Sequence, residues 1–154
     1  MQVFFRFYRE EVEVIRPFVR LFQRWRYPVS LPEEVAEALG VPASSYLRFD
    51  EFINFLSSTG CCPTRLYKFM SRPQAEAVFA SALRKERFQL RSMFSYYFNE
   101  GWLEFLLLFD EQGALRRLYV QHRDLHTDRG VEIRLCPRAL LQNKNREAVL
   151  LQAP

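Results

Sequence analysis

The chain has 154 residues, 49% of them hydrophobic and 16% aromatic, which is enough apolar material for one packed domain and excludes intrinsic disorder. Charged residues make up 26% and the formal net charge is +4, a mild balance that permits nucleic acid or an acidic partner without demanding either. No apolar run reaches the roughly 18 residues of a membrane span, and the opening residues MQVFFRFYREE carry neither a basic n-region nor a cleavage site, so a cytoplasmic protein with no membrane contact and no cofactor is expected.

In the first 25 residues Tyr8, Val12, Ile15, Val19 and Phe22 recur at helical spacing. Pro17 interrupts them, so the segment is either one kinked helix or a strand followed by a helix. Leu31 to Leu39 reads as a short helix: Pro32 suits its first turn, Glu33 and Glu34 complement the positive end of the dipole, and Gly40 stops it. A second helix is expected from about Ser45 to Ser57, with Leu47, Phe49, Phe52, Ile53, Phe55 and Leu56 as its apolar positions. Ser71 and Gln74 form a capping-box pattern ahead of a third helix, whose stripe is Ala75, Val78, Phe79, Ala82 and Leu83.

From Phe88 onward the period changes to two. Strands are expected at about Gln89–Phe98, Trp102–Asp110 and Leu115–His122, joined by short turns containing Gly101 and Gly113, with a fourth at Val131–Leu135. The middle strand is apolar on both faces, which suits a central strand. The sum is a single α+β domain: a helical part over about 1–87, an antiparallel three- to four-stranded meander over about 88–136 packed against the helices, and a tail over 137–154.

Charge is unevenly spread. Residues 27–62 carry one Arg against five acids, and residues 63–99 carry seven bases against two acids. Arg84, Lys85, Arg87 and Arg91 form the densest basic cluster and are the first place to test for a polyanion. The aromatic set Phe94, Tyr96, Tyr97, Phe98 and Trp102 lies near it in sequence. Such residues stack unpaired bases in some proteins and form interface hot spots in more of them. Tyr96, Phe98, Trp102, Leu106 and Leu108 are therefore the candidate protein-binding residues.

The stretch from Val35 to Phe49 resembles the helix-turn-helix family of DNA-binding domains, through small Ala36, turn residue Gly40 and apolar Val41, Tyr46 and Phe49. The resemblance implies a DNA contact on the second helix, where Arg48 is the cation, although Asp50 and Glu51 follow it. The run from Trp102 to Val120 looks like the hairpin of small α+β binding modules similar to the outer-membrane assembly lipoproteins and β-lactamase-inhibitor domains. That likeness concerns shape, and the lipoprotein signal of those families is missing here.

His122, Asp124 and His126 share one face if the strand runs that far, and two imidazoles with a carboxylate could hold a divalent transition metal. The alternative is a core-edge His122 followed by a turn. His122-Arg123-Asp124-Leu125 matches the catalytic-loop letters of protein kinases, but no Gly-rich loop or paired Lys accompanies it. Cys61, Cys62 and Cys136 are an odd, sparse set without metal or redox spacing, and are expected to be reduced, partly buried thiols, the alternative being that they meet in space around a metal or as a redox pair. No nucleophile elbow, HExxH or phosphate loop occurs. The expected function is thus a non-enzymatic protein–protein interaction module, working on a protein partner or as a homo-oligomer. A nucleic-acid-binding regulator is the second reading and a metal-dependent enzyme the third.

Overall fold

The computed structural model describes residues 29–42, 47–122, 130–138 and 141. Three helices occur among them: α1 (Pro32–Leu39), α2 (Phe49–Leu56) and α3 (Arg72–Val78). Pro32 begins α1 without needing the amide it lacks, and Gly40 ends it at φ 68°. A Cβ there would sit 2.1 Å from the Thr64 hydroxyl, which donates to the Gly40 carbonyl at 2.7 Å. At the start of α2 the Glu51 carboxylate accepts from the Arg48 amide at 3.2 Å. The α3 cap differs from its pattern: Ser71 donates to the Gln74 side chain at 2.9 Å and caps no backbone amide. That helix is also shorter than its stripe, so Ala82 and Leu83 lie beyond it.

The remaining elements form one antiparallel five-stranded sheet in sequence order: β1 (Arg84–Arg87), β2 (Arg91–Tyr97), β3 (Trp102–Phe109), β4 (Leu115–Gln121) and β5 (Val131–Ile133). The α+β class and meander hold, with one strand more than expected. The expected first strand, Gln89–Phe98, is the second, and the added β1 folds back over Phe88–Leu90. This hairpin contains no Gly, Asn or Pro, so nothing local announces it. Its turn is made from outside instead. The Arg72 guanidinium donates to the carbonyls of Gln89 (2.8 Å), Phe88 (2.8 Å) and Arg91 (2.9 Å).

Alternation sorts the sheet into two faces. Ser92, Phe94 and Tyr96 of β2, Leu103, Phe105, Leu107 and Phe109 of β3, and Leu115, Leu118 and Val120 of β4 are all buried on the inner face. Register continues these rows across the strands, as in Phe94, Phe105 and Val120. The helices meet them there. Phe79 stacks on Phe94 at 4.8 Å and tilts on Phe105 at 5.3 Å, while Phe49 meets Phe98 at 5.0 Å. Val35, Leu39, Phe52, Leu56 and Leu66 complete one continuous core. Each fully buried side chain of this size contributes about 1.5–3 kcal/mol by leaving water.

The cysteines depart from expectation. Cys62 and Cys136 are joined by a disulfide across 74 residues of sequence, and only Cys61 is free, buried in the core. Sequence spacing could not show this pairing, because the two are brought together by the bridge between Tyr67 and Cys136. Disulfides persist in oxidising surroundings and are uncommon in a reducing cytosol. No helix among the described residues is long and apolar enough to cross a membrane.

Candidate binding surfaces

The outer face of the sheet is ordered in rows that register defines. One row runs across all five strands: Glu86, Met93, Leu106, Tyr119 and Glu132. A second, two residues along each strand, is Arg91, Leu108 and Arg117. Arg84, Ser95, Glu104 and Gln121 form a third on the other side, with Tyr97 opposite Trp102 beyond it. Trp102, Leu106 and Leu108 therefore share this face with Met93 and Tyr119, all half-buried. Part of this face is covered, since Ser95 in the third row is 1% exposed. The two other candidate protein-binding residues go elsewhere: Tyr96 and Phe98 are inner-face core residues, at 1% and 7% exposure. Register separates them from Trp102, since Tyr96 lies opposite buried Leu103. Burial pushes the Tyr96 phenol above its ordinary value.

The basic cluster of residues 84–91 is largely committed to the fold. It forms the edge strand β1 and the start of β2. The Lys85 ammonium donates to the Ala80 carbonyl at 2.6 Å. Arg87 donates to Glu76 through Nε (3.1 Å) and NH2 (2.6 Å). Arg84 pairs with Glu86. Short edge strands rich in Lys and Arg discourage pairing with a foreign strand, and this accounts for the composition without a ligand. Arg91 is the one of the four whose side chain has neither an ion pair nor a hydrogen bond among the described residues.

Glu76 stands at the centre of this commitment. Its Oε1 accepts from Arg72 (2.8 Å), Arg87 (3.1 Å) and the Ser92 hydroxyl (2.6 Å). Burial alone would raise the carboxyl, but the bonds from Arg87, Ser92 and Arg72 outweigh it and hold Glu76 below its ordinary value. The same Arg72 guanidinium lies over the Phe109 ring at 5.0 Å. One polar knot thereby ties α3, the β1–β2 turn and β3.

The helix-turn-helix-like stretch is described only in part, since residues 43–46 lie outside the described residues. The second helix begins at Phe49, so Leu47 and Arg48 precede it. Arg48 faces Asp50 at 3.3 Å. His122 is a core-edge residue, 6% exposed, its ring 5.3 Å from Phe49 and 6.1 Å from Trp102. Asp124 and His126, the other members of the candidate metal set, lie outside the described residues. Among the described residues no group of three or more His, Cys, Asp or Glu could hold a metal ion.

A second charged surface was not foreseen. A cleft of about 500 Å³ is lined by Lys68, Arg116, Glu132, Arg134, Leu135 and Pro137. Its cations are scattered through the sequence, so no local run of basic residues could have marked it. Comparison with known proteins gives this chain no relatives: no family model matches it, and neither a curated protein nor a solved structure is significantly similar.

Proposed function

We propose that this chain is a non-enzymatic protein-interaction module that binds through the outer face of its sheet, and that the occupant is a second copy of itself. The observation that carries this reading is the order of charges around the apolar centre. The row containing Leu106 ends in Glu86 and Glu132, whereas the next row places Arg91 and Arg117 on either side of Leu108. A two-fold axis lying in the contact plane, across the strands and between these rows, lays one row of each copy over the other row of its mate. Leu106 then meets Leu108, and Arg91 and Arg117 are offset laterally by about one strand spacing (~4.8 Å) from the mate's Glu86 and Glu132 across sheets about 10 Å apart, a gap that long side chains span. Self-complementarity of this kind is what an isologous contact requires. The five strands present at most about 19 Å by 24 Å of face, a smaller patch than the ~800 Å² per partner of standard interfaces, so a reversible, concentration-dependent dimer is expected.

Sedimentation velocity over a concentration series tests it. Wild-type chain should pass from monomer to dimer, and Leu106→Glu should remain monomeric with an unchanged melting temperature. Reversing Arg91 and Arg117 to Glu should weaken the dimer, and adding Glu86→Arg with Glu132→Arg should restore it. A wild-type chain that is monomeric throughout, or a charge reversal that its partner reversal does not rescue, overturns the proposal.

A further inference from the structure

The segment 67–72 is laid beside the sheet by its backbone. Lys68 N donates to Cys136 O (3.1 Å), Phe69 N to Leu115 O (2.8 Å) and Arg72 N to Gly113 O (2.9 Å). Between these anchors Phe69 takes φ 68°, a left-handed conformation that a bulky side chain adopts only against steric resistance. The residue stays 54% exposed. The Arg116 guanidinium lies 4.4 Å from the ring centroid and the Lys68 ammonium 5.5 Å. Two residues earlier, Tyr67 carries Arg138 at 5.5 Å. Lys68 and Arg116 also line the cleft, with Arg134 opposite a single carboxylate, Glu132. Arg116 further bonds Asp110 at 2.7 Å, while Lys68 and Arg134 make no ion pair among the described residues.

Cations alternating with aromatic rings beside a cleft suit a polymer that offers a phosphate and a flat base at each step. We propose that this cleft binds single-stranded nucleic acid, with phosphates held by Lys68 and Arg134 and a base stacked on Phe69. A duplex keeps its bases stacked inside and cannot use the ring. A plain anion would need the cations and not the ring. The site is distinct from the 84–91 cluster, whose cations are mostly turned to the protein's own carboxylate and carbonyl groups.

Fluorescence anisotropy of the full chain with labelled oligo-dT and oligo-rU, at several salt concentrations, tests the assignment. Affinity should fall as salt rises, and the double variant Lys68→Gln, Arg134→Gln should reduce the steepness of that fall by about 1.4, since each single-strand phosphate contact contributes roughly 0.7. Phe69→Gly should weaken binding about tenfold, in the range for loss of one stacked base, and leave the salt dependence unchanged. Glycine suits φ 68°, so this variant should melt no lower than wild type. The proposal fails if oligonucleotides do not bind, or if duplex binds as well as single strands. It fails equally if Phe69→Gly binds like wild type while polyphosphate competes fully, which marks an anion site only. Sensitivity to Arg91→Gln in place of the cleft variants would move the site to the sheet edge and also overturn it.

Discussion

Replacing Arg72 with Met should unfold the β1–β2 hairpin ahead of the rest of the domain. Met keeps most of the stem that covers Phe109 and removes the guanidinium with its five hydrogen bonds: to Glu76, Phe88, Gln89, Arg91 and Ser92. Each is worth about 0.5–1.5 kcal/mol net, and more where a charge is involved. Three go to carbonyls of exposed turn residues, which water can serve in the variant, and Glu76 retains Arg87 and Ser92. The loss should therefore be about 3 kcal/mol, at the low end of what breaking a mostly buried ion pair costs. For a domain of this size that lowers the melting temperature by roughly 6–12 °C. Urea denaturation measures the total. Hydrogen exchange locates it, because the amide of Phe88, which donates to Arg91 O at 2.8 Å, should lose protection before the amides of β3. A loss no greater than that of Arg48→Met, an exposed control, would refute the claim that this guanidinium shapes the turn.

The depressed Glu76 carboxyl makes a pH prediction with a definite sign. Its stabilisation is complete above the carboxylate's unfolded value and is lost as pH falls through the lower folded value. Urea midpoints measured from pH 6 down to 3 should therefore fall more steeply for wild type than for Glu76→Gln, and parallel curves would exclude the effect. For the cysteines, one thiol should titrate in the unfolded, non-reduced chain and almost none in the native one. Burial pushes Cys61 up to about 11, so little thiolate forms at pH 8. Reducing the Cys62–Cys136 bridge, which spans 74 residues, should cost up to about 4 kcal/mol by freeing the unfolded chain. Two or more fast-reacting native thiols would contradict both statements.

Local chemistry alone determined a good deal here. Pro32 and Gly40 bracket α1 because one lacks an amide and the other tolerates φ 68°. The alternation of Leu103, Phe105, Leu107 and Phe109 makes β3 a central strand, and Gly113 at φ 76° marks a turn. Such features are written within a few residues and survive in isolation. The tertiary structure decided what depends on partners distant in the chain. The Phe88–Leu90 turn needs Arg72, the edge-strand cations need Glu76 and Ala80, and the disulfide needs segments 74 residues apart. Both candidate surfaces belong to that second class. Whether an apolar strand residue faces the core or the outside is fixed by register, which is why Tyr96 and Trp102 part company. A cleft built from residues 68, 116 and 134 exists only once three separate segments have been laid side by side.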